Sequence, residues 1–472
     1  MPREAGNAMR RHFFLYGHLT PGIGSFFETA AVRWAALLPL AVMLSKSGGE
    51  FVKFIVLLCW LFSGCWWRRR DLFYRDPLAL AALAFLAVPF LGIFWSAVPL
   101  ETAARRWFSY AGLWLFPALL TLLTHRDQKS LAIACFNLGM CLLIVYLNLW
   151  RLLECCGWTG TMLFTDSYSA YAKGYGPIAN FALFWMLFWV LHPYASRRVG
   201  GFARFYPATL RQAMNRAARM KWTTFARKRQ GSLGRVLFLL RWLIVATIAV
   251  YLLYATKSRT AVCCFLAVIA AALIWKYRWK GLLVGVLLLA LLITGVYASS
   301  SMVRQRTQAI VKEVQTLDKL YSPGVKMQRL ANKSSGGTRL ILFQTGVIAA
   351  SLHPAFGWGT GSVALAYATV PGIEGAHDSH CDFTMVLIQW GSVGLTLFLL
   401  VFLVAFLRSR SLPPPWGMIT FCGLVIILIN CLLGSAFSFG EREIFFPYFL
   451  GFYLALLPPQ KTNRENGQNA AA

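Results

Sequence analysis

The stretch "FTMVLIQWGSVGLTLFLLVFLVAFL", residues 383–407, runs for 25 residues without a charge. About 20 apolar residues suffice to cross a bilayer as a helix, so this segment reads as a membrane span. It is one of many. The chain has 472 residues, 58% of them hydrophobic, with 18 Trp and 36 Phe, and its mean hydropathy is +0.57. That exceeds the apolar share of soluble domains and marks an all-α polytopic membrane protein. About twelve spans are expected, near 29–45, 51–67, 77–98, 107–124, 131–150, 176–195, 236–255, 260–275, 281–299, 383–407, 416–437 and 441–457. Arg33 and Lys53 lie near the ends of the first two and are expected to snorkel.

The formal charge of +29, from 46 Lys and Arg against 17 Asp and Glu, cannot sit in hydrocarbon. Each central charge costs at least about 2.5–3.5 kcal/mol there, so the cations collect in loops. Loops of this sign fit phosphates of lipid headgroups and lipid-linked substrates; nucleic acid would leave the apolar bulk unexplained. The short basic loops WRRRDLFYR, THRDQK, KYRWK and RSRS and the tail KTNR fall on one side if both termini do, and that side is cytoplasmic. The segment 197–235 joins them, with eleven Lys and Arg and no acid, as an anchor on anionic headgroups. Most of the eleven cysteines lie in apolar runs, where Cys is a small hydrophobe, so no disulfide framework is implied. The N-terminus lacks the apolar core and cleavage site of a secretory signal, and the first span is expected to direct insertion.

Three divisions follow: residues 1–299 with spans one to nine, a long periplasmic loop at 300–382, and residues 383–472 with the last three spans and a cytoplasmic tail. Loops as long as 300–382 are uncommon unless functional. VRQRTQAIVKEVQTLDKL places apolar residues at helical spacing with cations between them, as in a helix lying in the outer interface. KSSGG, 333–337, is expected to break it. A second helix runs from Arg339 to about Leu352 and stops at HPAFGWGTG.

Three places can carry chemistry. In KSRT, 257–260, Ser258 or Thr260 can cap the helix that starts there, and Arg259 at that positive end is best explained by an anion between them. An arginine snorkelling to lipid phosphate is the plainer account. Arg339 leads the outer helix, where a guanidinium fork can hold phosphate oxygens; an ordinary amphipathic-helix arginine fits as well. His353 reads as helix-end punctuation, and GWGTG lacks the strand that a nucleotide loop requires.

The third place is HDSHCD, 377–382. His377, Asp378, His380, Cys381 and Asp382 are too closely packed to converge on one metal ion, and no second ligand cluster exists, so no metal is expected. Ser379 and Asp382 have the spacing of a capping pair, which would leave His380 in the first turn of a membrane helix. The dipole there disfavours imidazolium, and a neutral histidine can act as general base. His377 lies outside that helix and is auxiliary or simply exposed.

Taken in order, YATKSRTA, TRLILFQTGVIAASLHPAFGWGTGS and HDSHCDFTMVLIQWGSVGL resemble the superfamily of O-antigen ligases, O-antigen polymerases and bacterial O-oligosaccharyltransferases. The matching features are Arg259 at the outer start of a mid-chain span, Arg339 leading a helix into H-P-x-x-G-x-G, and His380 followed by Gly391 and Gly394. Cys381 stands where the family usually has Asn. The resemblance implies a GT-C type glycosyltransferase in the bacterial inner membrane, with its active site periplasmic, taking a glycan from undecaprenyl pyrophosphate by one-step inversion and needing neither metal nor other cofactor. His380 would be the base. Arg259 and Arg339 would bind the diphosphate, with Ser258, His377 and Asp382 as auxiliary residues.

Within that superfamily the ligase reading, with lipid A-core as acceptor, is favoured. Polymerases tend to show two comparable outer loops with R-x10-G patterns, whereas one loop dominates here, and eleven residues on from Arg259 and Arg339 stand Ala270 and Ala350. Protein-modifying members often add a soluble C-terminal region. The cationic 304–339 segment suits a phosphate-rich lipid A-core. A flippase for lipid-linked glycans is the reading from a different class, but it should place ionisable groups near the bilayer midplane. Arg259 and His380 fall instead at span ends, and only Arg241 is clearly inside a span.

Overall fold

The computed structural model describes residues 21–123, 131–143, 182–187, 259–299, 335–370, 379–412, 416–434 and 446–449, with a few isolated positions besides. Arg241, the basic segment 197–235, His377, Ser258, most of the VRQRTQ helix and most of the spans at 176–195, 236–255 and 441–457 lie outside the described residues.

All regular structure among the described residues is helical. In chain order the main elements are α1 (Pro21–Leu44), α2 (Lys46–Ser63), α3 (Pro77–Leu91), α4 (Leu100–Ser109), α5 (Leu115–Leu122), α6 (Arg259–Ser299), α7 (Ser335–Ser351), α8 (Val363–Ala368), α9 (Asp382–Ser409) and α10 (Trp416–Leu433). Two short helices separate α2 from α3, and a helix at Leu131–Leu143 follows α5. Four segments are long and apolar enough to cross a membrane: Gly22–Leu44, Thr260–Arg278, Asp382–Ser409 and Trp416–Leu433. Shorter apolar helices, α3 among them, accompany these. This is a polytopic helical membrane protein.

Local chemistry sets the helix boundaries. Ser45 caps α2 by accepting from Gly48 N–H at 3.3 Å, and Gly64, at φ 63°, closes its other end. Asp76 caps α3 by accepting from Leu78 N–H at 2.9 Å, with Pro77 at the first helical position, where the missing N–H costs nothing. Lys53 does not snorkel as expected. It is buried and paired with Glu50 at 2.5 Å one turn earlier, where a neutralised charge is far less costly than a lone one.

Ion pairs gather one end of the bundle. Glu28 of α1 holds Arg68 at 2.5 Å and Arg69 at 2.6 Å, and Arg69 also donates to the Thr121 carbonyl at the end of α5. Arg408 of α9 meets Asp76 at 2.5 Å. WRRRDLFYR and RSRS therefore share an end, as their charge suggested. KYRWK joins them: Trp275 stacks on Phe421 of α10, and α6 breaks at Arg278 (φ 55°, ψ −132°). Beyond that break the chain folds back, so that Gly285 lies against Leu273 and Ala270. The expected spans 260–275 and 281–299 are thus the two arms of one hairpin.

The core is built around α3 and α9, which run antiparallel. Asp76 meets Arg408 at one end; Phe85 packs edge-on to Trp390 (5.8 Å) and beside Phe398 (5.2 Å) further along. α10 packs against both α6 and α9, and α7 packs on the early part of α9.

Candidate functional site

The site is organised by a second break, in α9 at Gly391 (φ 62°, ψ −160°). The arms on either side bend sharply toward each other, since the rings of Phe383 and Phe398 lie 5.4 Å apart although a straight helix would separate them by about 22 Å. Such a break strips carbonyls from the end of the first arm and N–H groups from the start of the second. In a membrane protein, backbone of this kind is tolerated only where other protein groups satisfy it.

The HPAFGWGTG segment after α7 supplies those groups. Trp358 N–H donates to Ile388 O (2.9 Å) and Gly359 N–H to Gln389 O (2.8 Å). In return Pro354 O accepts from Ser392 N–H (2.8 Å) and Ala355 O from Val393 N–H (3.2 Å). Glycine is required on both sides of this contact. Gly391 and Gly357 (φ 68°) both have positive φ, and a Cβ on either would run into the other segment's backbone.

The turn after α3 forms the opposite wall. Thr360 N–H donates to Gly92 O (3.0 Å), its Oγ1 donates to Pro89 O (2.6 Å) and accepts from Trp390 Nε1 (2.9 Å), while Ser96 Oγ donates to Thr360 O (2.9 Å). Ala97 N–H donates to Trp358 O at 2.9 Å. Gln389, only 1% exposed, completes the frame: its Oε1 accepts from Gly361 N–H (2.7 Å) and its Nε2 donates to Tyr110 Oη (2.8 Å). Three chain regions distant in sequence are thereby fixed to one another.

This frame sets the register of α7. Gly346 is wedged against Thr384 and Ile388, and Pro354 meets Ser392, so α7 runs parallel to the first arm of α9 at an offset of about forty residues. That offset sets Asp382, where α9 begins, opposite about Leu342, and Arg339 lies about one turn earlier on α7. His380 is exposed and Arg339 half-buried. Arg259 is the first described residue of α6, which packs antiparallel to α10, with Asn430 Nδ2 donating to Cys264 Sγ at 3.4 Å.

Two local expectations are corrected. Ser379 and Asp382 do not form a capping pair, because the N-cap is Cys381 (φ −151°) and it makes no side-chain cap bond. The Ser379 hydroxyl is instead closed on Cys381, donating to its carbonyl at 2.6 Å and accepting from its N–H at 3.3 Å. His380 therefore lies before the helix, outside the first turn on which the neutral-ring expectation rested. Its φ of 50° is a left-handed conformation costing a non-glycine residue about 1–3 kcal/mol. Asp382 is the first helical residue and is 1% exposed. The start of the second outer helix is the other correction, since α7 begins at Ser335 rather than Arg339 and takes Gly336 and Gly337 into its first turn.

The broken helix and its glycine clamp belong to a polytopic helical membrane protein with irregular buried backbone at the break. Residues 244–399 match the family model described as O-antigen ligase (Wzy_C), and this stretch is an O-antigen ligase domain. Ligase- or polymerase-type transfer of lipid-linked glycans is the activity that goes with that family. No curated protein matches the chain. The matched stretch contains Arg259, Arg339, His380 and Gly391, whereas Thr360's partners Pro89, Gly92 and Ser96 and Gln389's partner Tyr110 lie outside it.

Gln389 and Tyr110 are the members of the site that sequence reasoning missed. A lone Gln inside a 25-residue apolar run was the available signal for the first. Tyr110 carried none.

Proposed function

We propose that this chain transfers a glycan from undecaprenyl pyrophosphate to a hydroxyl of lipid A-core at the periplasmic face of the inner membrane. The observation that carries the proposal is the match of residues 244–399 to the O-antigen ligase family model, a stretch that contains Arg259, Arg339 and His380.

In the proposed reaction the acceptor oxygen attacks the anomeric carbon from the face opposite the pyrophosphate, so the product is inverted. His380 takes the hydroxyl proton as the new C–O bond forms, an effect worth about 10²–10⁴ in rate. The bond to pyrophosphate breaks and its electron pair leaves with the diphosphate. Arg259 and Arg339 stabilise that charge, each by about 3 kcal/mol if it acts as an oxyanion donor does in a site shielded from water. Guanidinium groups supply positive charge that a metal would otherwise provide, so the reaction needs no cofactor. Ser258, His377 and Asp382 stand near these groups in sequence and have auxiliary roles.

The test offers the purified chain an undecaprenyl-pyrophosphate glycan with lipid A-core, further donor glycan or a pilin in separate reactions. Glycosylation of lipid A-core alone is the expected result. Lengthening of the donor glycan would make the protein a polymerase, modification of the pilin would make it an oligosaccharyltransferase, and no transfer in any arm would overturn the enzymatic reading. Activity should persist in EDTA.

A further inference from the structure

α4, which follows the outer turn of α3, presents three faces. Ala103, Arg106 and Tyr110, the last just past the helix end, are spaced by three and four and face the protein; Ala103 and Tyr110 are buried and Arg106 is half-buried. Leu100 and Phe108 form an exposed apolar edge (71% and 66%), while Glu101 and Arg105, paired at 2.8 Å, form an exposed charged one. A helix divided in this way lies in a membrane interface, with its apolar edge toward lipid and its charged edge toward water. At about 100° per residue, Arg106 falls where the protein face meets the charged edge. It therefore stands on the water side of α4.

Gly361 seats Arg106 there. At φ 90° this glycine lies so close to α4 that a Cβ on it would stand 3.4 Å from Ala103 Cα and from Arg106 Cβ and Cγ. The same glycine donates its N–H to Gln389, which in turn donates to Tyr110. The stem of Arg106 is thus packed on the frame that joins α4 to α9. From Arg106 it is one turn to Tyr110, whose Oη meets Met385 Sδ at 3.8 Å, and Met385 lies one turn after Cys381. Two helical turns, about 11 Å, and one side-chain contact therefore set Arg106 back from the start of α9. That is the position for a group carried beside the reacting sugar and not for the reacting hydroxyl itself. The surroundings are cationic: among the described residues of α4, α7 and 352–370, three arginines stand against one acid, Glu101, and Arg105 holds that acid.

We propose that Arg106 binds the acceptor, holding a phosphate group on its core oligosaccharide and so making the protein selective for phosphorylated acceptors. The inference rests on the glycan-transfer reading for the choice of acceptor. A guanidinium fork matches phosphate oxygens in pairs, and a packed stem holds that fork at a fixed place on the water side of the site. Arg106 lies outside residues 244–399, so this selectivity belongs to a part of the chain that the family match does not cover.

The experiment uses the full chain in nanodiscs and measures, with no donor present, binding of deacylated core oligosaccharide, either phosphorylated or phosphatase-treated. The wild type should bind the phosphorylated form about tenfold or more tightly, the effect of one charge-assisted pair. Arg106→Gln should bind both forms alike, at the level the wild type shows for the treated one. Arg106→Lys keeps the stem and the charge but not the fork, and should retain part of the preference. Arg105→Gln should match the wild type. No preference in the wild type, a full preference surviving in Arg106→Gln, or an equal loss of both forms, as packing alone would give, would overturn the proposal. Discs of phosphatidylcholine with and without phosphatidylglycerol separate the other source of phosphate. An Arg106→Gln effect that follows phosphatidylglycerol and not core phosphate would assign the residue to lipid headgroups and overturn the proposal as well. Because no donor is present, a chain that binds as stated yet glycosylates nothing would sink the transfer reading alone.

Discussion

Two long helices among the described residues break at a single residue of positive φ, one at Arg278 and one at Gly391, and the second is clamped by another segment of the chain. At Arg278 the residue is exposed, the chain folds back as an ordinary hairpin, and Trp275 packs on α10 near the basic end of the bundle. At Gly391 the residue is buried and the liberated backbone groups are taken up by residues 354–359. Water can solvate an exposed break. A buried one must be matched group for group, and that requirement holds α7, and Arg339 with it, against the arm that begins beside His380.

The contrast can be broken at its strongest point. Gly391→Ala should all but abolish both stable folding and glycan transfer, because a Cβ there meets the Ala355 carbonyl at a left-handed φ. Thermal unfolding in detergent, with transfer measured in parallel, reads both effects. Next in size, Gln389→Leu leaves Gly361 N–H without its acceptor and Tyr110 Oη without its donor, at a cost of about 1–3 kcal/mol. Its loss of transfer should exceed what its lowered midpoint explains, since α7 is released from register. Arg408→Met should come third. It strands the Asp76 carboxylate in a part-buried position, while Arg408→Met with Asp76→Asn should recover most of the stability in a double-mutant cycle. Smallest of all, Arg278→Gly should change stability by no more than about 1 kcal/mol, because relief of left-handed strain is offset by greater freedom of the unfolded chain, and transfer should be normal.

Much of the architecture was legible because its signals are local. Uncharged runs mark α9 and α10, basic loops mark one end, and Asp76–Pro77 marks the start of α3. The hairpin at Arg278 was readable as two spans around KYRWK for the same reason. What stayed hidden depends on contacts between segments far apart in sequence. HPAFGWGTG read as punctuation and QWGSVG as the interior of a continuous span, because nothing in either shows that each completes the other's backbone. Ser379 misled in a different way. Its spacing to Asp382 suits a cap, yet the hydroxyl found a nearer partner in Cys381. The seating of α7 on the first arm of α9, which rests on the contact of Gly346 with Thr384 and Ile388, carried no such local signal.

The claim at the centre of this account is that His380 takes the acceptor's proton during glycan transfer. Its most direct test is a single-turnover assay of purified His380→Ala in nanodiscs with undecaprenyl-pyrophosphate glycan and lipid A-core. The account predicts that transfer falls by about 10²-fold or more, with donor binding and the unfolding midpoint unchanged. Transfer at the wild-type rate by a folded, donor-binding variant would contradict it.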